Sequence, residues 1–124
     1  MERRVLVLDD NSGELGGLIK KLTAAKMKVL VCFSPEHALN EIDIQNPQLF
    51  IAAGEFPSMS AIKVAETAYD TRSIPSFVVL TSAGDTTQGE LRRHPGVLGT
   101  YFKPLNVDKV VAKIEKFFQT LTKK

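Results

Sequence analysis

The chain has 124 residues, 44% of them hydrophobic and 24% charged, which suits one compact domain with one core and leaves no room for a second. Sixteen basic residues against fourteen acidic ones give a formal net charge of +2, and no basic residues interleave with aromatics in a stripe, so direct contact with nucleic acid is not expected. The first apolar segment spans only residues 5–8 before two aspartates, too short for a signal peptide or a membrane span. Cys32 has no second cysteine to pair with, and a soluble, cytoplasmic, membrane-free protein with a buried, inert thiol is expected.

In chain order, a first strand is predicted over residues 5–8 (VLVL). A helix follows, striped by Leu15, Leu18, Ile19 and Leu22, with Asn11 and Glu14 spaced as a capping box at its start. Residues 29–33 (VLVCF) predict a second strand. Ser34-Pro35 then supplies a cap and a proline at the first helical position, ahead of Ala38, Leu39 and Ile42, and Asn46-Pro47 closes that helix. Residues 49–53 (LFIAA) predict a third strand, and residues 60–69 a helix bearing Ile62, Ala65 and Ala68 on one side. Residues 77–80 (FVVL) predict a fourth strand, residues 86–93 a short helix stopped by His94-Pro95-Gly96, and residues 97–102 (VLGTYF) a fifth strand. The last helix carries Val107, Val110, Val111, Ile114, Phe117, Phe118 and Leu121 at i, i+3, i+4 spacing.

Short continuous apolar runs suit strands covered on both faces, and their alternation with helices implies right-handed crossovers and a parallel sheet. The expected fold is α/β: an open, doubly wound, five-stranded parallel sheet of flavodoxin-like order 2-1-3-4-5 with helices on both faces. Residues 1–121 form the domain and residues 122–124 a tail or the start of a linker. Ligands of such a sheet bind beyond the carboxyl ends of the strands, where loops converge. The ends deliver Asp9 and Asp10, then Ala53 and Glu55, then Thr81 and Ser82, then Lys103 and Pro104. Adjacent acids suit a hard cation such as Mg²⁺, and a hydroxyl and an ammonium suit phosphoryl oxygens. What such a pocket lacks here is a nucleophile.

On these motifs the chain resembles a response-regulator receiver domain of two-component signalling. VLVLDDN at residues 5–11 resembles the family's first strand and acidic pair. PQLFIAAGEFPSMSAIK at residues 47–63 resembles its third strand and following loop, including Pro57. SIPSFVVLTSA at residues 73–83 and YFKPLNVDKV at residues 101–110 resemble its fourth and fifth strands. The likeness covers essentially the whole chain. It implies phosphotransfer from a histidine kinase to an aspartate, Mg²⁺ dependence, and a switch surface built from the fourth helix, fifth strand and fifth helix.

Carried over by position, Asp9 and Asp10 match the metal-binding acids, Thr81 the switch hydroxyl, and Lys103 the phosphate-contacting lysine, with Lys103–Pro104 the candidate cis peptide. The acceptor position is Ala53, and a methyl group can neither attack phosphorus nor hold a metal, so no catalytic residue is expected. The switch-aromatic position is Thr100, beside Tyr101 and Phe102. Strand alternation turns Tyr101 to the opposite face from it. Ala61 stands where the family has glycine. Without a third carboxylate, Lys103 can pair with Asp9 or Asp10, leaving a weakened Mg²⁺ site and no required cofactor.

The reading that follows is a degenerate receiver, a pseudo-receiver, acting as a phosphorylation-independent protein-interaction module whose partner is a kinase, an output domain or another signalling protein. Two alternatives stand beside it: a receiver phosphorylated at Glu55 or a nearby hydroxyl, and a small-ligand-binding flavodoxin-like module. His37 and His94 read as solvent-facing, Lys109, Lys113 and Lys116 as the wet face of the last helix, and Tyr101 and Phe102 as core or half-core residues.

Overall fold

The structure, a computed structural model, describes residues 2–9, 15–53, 61–80, 96–102 and 105–122. Along the chain these form β1 (Arg4–Leu8), α1 (Gly16–Ala24), β2 (Lys28–Cys32), α2 (Pro35–Gln45), β3 (Leu49–Ala53), α3 (Ala61–Arg72), β4 (Ser76–Leu80), β5 (Val97–Phe102) and α4 (Val107–Thr122). The helix expected over residues 86–93 lies outside the described residues. All strand pairs are parallel and the order is β2-β1-β3-β4-β5, as the alternating pattern required. No described helix is long and apolar enough to cross a membrane.

Side-chain alternation along the strands splits the core in two. Leu6, Leu8, Phe50, Ala52 and Val78 point to the side covered by α2 and α3, where they meet Ala38, Ile42, Ile62, Ala65 and Ala68. Val5, Val7, Leu49, Ile51, Ala53, Phe77 and Val79 point to the side covered by α1 and α4, against Leu18, Leu22, Val110, Ile114 and Phe118. β3 is central, and all five of its residues are buried. β2 departs from expectation. It starts one residue earlier and ends at Cys32, and its burial alternates, with Leu30 37% and Phe33 56% exposed. An apolar run reads as doubly covered, but β2 is an edge strand that the helices flank incompletely.

The helix ends explain where each element stops. Ser34 Oγ accepts from His37 N at 3.2 Å and Pro35 opens α2, as predicted. α1 has Leu15 at its N-cap with no side-chain cap bond, and the expected capping residues Asn11 and Glu14 lie outside the described residues. α4 is capped by Asn106, whose Oδ1 accepts from Lys109 N at 3.2 Å, a cap the sequence reading missed. At the other ends, α1, α2 and α3 each turn off through a non-glycine residue at positive φ: Lys26 (67°), Asn46 (48°) and Ser73 (56°). Each turn satisfies carbonyls of the last helical turn. Lys26 N donates to Thr23 O and Met27 N to Leu22 O, Asn46 N donates to Ile42 O, and Ser73 N donates to Tyr69 O.

β5 carries an irregularity that sets which way its side chains face. Ser76 pairs with Val97 but Phe77 pairs with Gly99, so Leu98 has no partner and is 46% exposed. This bulge restores the alternation so that Gly99 and Tyr101 share a face with Phe77 and Val79, and Thr100 lies opposite them with Val78. Gly99 makes room for the neighbouring rings, since a Cβ there would meet the Phe77 ring at 3.3 Å. The Phe77 and Tyr101 rings pack with centroids 5.9 Å apart.

Candidate functional site

The carboxyl ends of β1 and β3 bring two of the singled-out positions together. Leu8 pairs with Ala52, so Asp9 and Ala53 stand one step further along adjacent strands, by alternation on the same side of the sheet. Asp9 is buried at 6% exposure, and its backbone N–H donates to Cys32 O at 2.9 Å, which extends the β1–β2 ladder past the last strand residue. Ala53 is fully buried in the α1/α4 half of the core. The row continues across the sheet: Ala53 pairs with Val79, and Val79 with Tyr101. One row on one face thus reads carboxylate, methyl, isopropyl and phenol.

Tyr101 is half-buried and belongs to the α1/α4 cluster. Burial pushes its hydroxyl above the usual phenol range. Thr100 occupies the opposite face, beside Val78. The register therefore keeps the Thr100 position and the Tyr101 ring on different sides of the sheet. Phe102 ends β5, paired with Leu80. Asp10, Glu55, Thr81, Lys103 and Pro104 lie outside the described residues, so a pairing of Lys103 with Asp9 or Asp10 does too.

Oxygen donors for a divalent cation are sparse here. Asp9 offers one carboxylate and Ala53 none, and the described residues contain no group of three or more His, Cys, Asp or Glu that could hold a metal ion. The described residues alone do not make an Mg²⁺ site. Cys32, on the strand next to Asp9, is fully buried, and burial first and Glu41 second push its thiol up to about 11. It is no nucleophile at neutral pH. His37 is exposed, with Nε2 3.6 Å from Glu41 Oε1 on the same helix, and Lys109, Lys113 and Lys116 line the wet face of α4, as expected.

No family model matches the chain, and no curated protein does. Solved structures do. A CheY-like response regulator receiver domain protein from Methanospirillum hungatei superposes with a TM-score of 0.87 at 19% identity, covering 99% of this chain and 98% of that one. The receiver domain of a Francisella response regulator gives 0.84 at 16%, covering 97% and 99%. The chemotaxis response regulator CheY4 of Vibrio cholerae gives 0.76 at 17%, covering 94% and 98%. At these identities the likeness is one of fold, and it runs the whole length of both chains.

Proposed function

We propose that this chain is a receiver-like signalling module that has lost aspartyl phosphorylation and works by docking a protein partner. The observation that carries the reading is Ala53: a fully buried methyl at the head of the central strand, in register with a buried aspartate on the neighbouring strand. A phosphoryl acceptor needs a lone pair at that point, and an alanine side chain has none. The receiver-type fold, matched over the whole chain, supplies the context, and its usual role in signal transduction supports a kinase, an output domain or another signalling protein as the partner. Asp9 is then an inherited ligand with too few companions for tight Mg²⁺ binding, and no cofactor is required for docking.

The test is chemical. The purified chain is incubated with a small phosphodonor and Mg²⁺, and its intact mass is measured. An unchanged mass is expected. A single phosphate adduct that maps to Glu55 or to a hydroxyl such as Thr81 would overturn the proposal and install the phosphorylatable reading in its place. A flavin or nucleotide that co-purifies with the chain would overturn it in favour of a ligand carrier.

A further inference from the structure

The amino ends of the strands, opposite the candidate site, hold a cleft that the functional reading does not use. Its volume is about 320 Å³, within the range of small-molecule sites at the low end. Its lining brings the partly exposed Pro75, Phe117 and Leu121 together with Arg4, Arg72 and Gln48. We infer that this cleft binds a small amphipathic carboxylate, its head on the arginines and a short hydrocarbon or aromatic body against α4.

The arginines are held at the cleft but only lightly engaged. Arg4 Nη2 donates to Asn46 O at 3.0 Å, and its backbone N–H donates to Gln48 Oε1 at 2.6 Å. Its Nη1 lies 3.6 Å from Glu2 Oε1. Arg72 Nε donates to Asp43 Oδ1 at 2.7 Å. Both acid partners are half-exposed, at 49% and 57%, so each is a weak surface pair, readily exchanged for an incoming carboxylate. The planar fork of a guanidinium matches a carboxylate with two parallel bonds.

Charge also argues for a monoanion over phosphate. α2 and α3 both end here, and helix carboxyl ends carry partial negative charge. With Glu2 and Asp43 already paired to Arg4 and Arg72, a dianion meets about twice the repulsion that a monoanion does. A singly charged head avoids that, and its apolar body gains the contact with Phe117 and Leu121 that an inorganic ion cannot make.

The experiment is a titration of the ¹⁵N-labelled full chain with octanoate, octanol and inorganic phosphate, followed by amide shifts. Octanoate should saturably shift Gln48, Ser73, Ile74 and Leu121, with octanol and phosphate each binding about fivefold or more weakly. Asp43→Asn removes a competing carboxylate and should tighten octanoate by up to about fivefold, while Arg72→Gln should weaken it by a similar factor. Both side chains are on the surface, and each variant's spectrum reports whether its fold is kept. Equal binding of octanol would mean an apolar trap, and equal binding of phosphate a bare cationic pair. Either result, or octanoate that leaves these four amides unmoved, overturns the assignment.

Discussion

Replacing Ala53 by aspartate asks directly what the head of β3 can tolerate. The methyl is fully buried in a half-core of Val7, Leu15, Ile51 and Val79, and the neighbouring register position is the buried carboxylate of Asp9. An ionised, uncompensated carboxylate at such a site costs about 3–5 kcal/mol, a large share of the roughly 5–15 kcal/mol that holds a domain of this size folded. In the unfolded chain the new aspartate titrates near 3.9, as model peptides do, and burial beside a like charge raises its folded value. The folded state then binds that proton more tightly. Ala53→Asp should therefore match the parent most closely at about pH 4 and fall progressively behind as pH rises. Urea denaturation at several pH values measures this directly.

Magnesium supplies the second arm. If the rest of the pocket can ligate, Mg²⁺ at about 100 times its dissociation constant should restore about 2.7 kcal/mol to the variant and far less to the parent. A variant that loses under about 1 kcal/mol at pH 7 without Mg²⁺ would refute the burial argument, because the new charge would have reached solvent or a partner cation. Equal rescue of parent and variant would refute the claim that position 53 decides metal affinity.

Gly96→Ala should destabilise by about 1–3 kcal/mol or more, since the added Cβ would stand 2.4 Å from Tyr69 Cβ; the urea midpoint reads it. Lys26→Gly and Ser73→Gly relieve left-handed conformations that cost a side chain about 1–2 kcal/mol, partly offset by glycine's greater unfolded entropy; each should raise the thermal midpoint by a few degrees. Cys32, its thiol raised to about 11, should resist a thiol reagent at pH 8 in the native chain and react at once in denaturant; fast native labelling would contradict its burial.

The three inner strands β1, β3 and β4 were readable because their apolar runs are buried in a continuous parallel sheet, where hydrophobicity and position coincide. β2 shows the limit of that signal. Val29, Leu30, Val31 and Phe33 carry the same letters as a central strand, but only the strand's neighbours reveal that it lies at an edge. The Leu98 bulge was likewise unreadable, because a one-residue register change leaves no mark on composition while deciding which face Tyr101 takes. At the candidate site, Asp9 and Ala53 were found from their places at strand ends, and their registration came from the ladder. The cleft beside Arg4 and Arg72 gave no sequence signal. Its residues come from four separate parts of the chain, and only the folded sheet brings them together.

The division of the interior by the sheet has a mechanical corollary. Among the described residues, the buried side chains under α2 and α3 and those under α1 and α4 form two separate clusters, so the five strands act as an insulating septum. Repacking on one side should leave the energetics of the other nearly unchanged. A protein that settles against one flank can influence the far flank only by shifting strand backbones or the termini of the helices, which makes the ladder itself the conduit for any crosstalk.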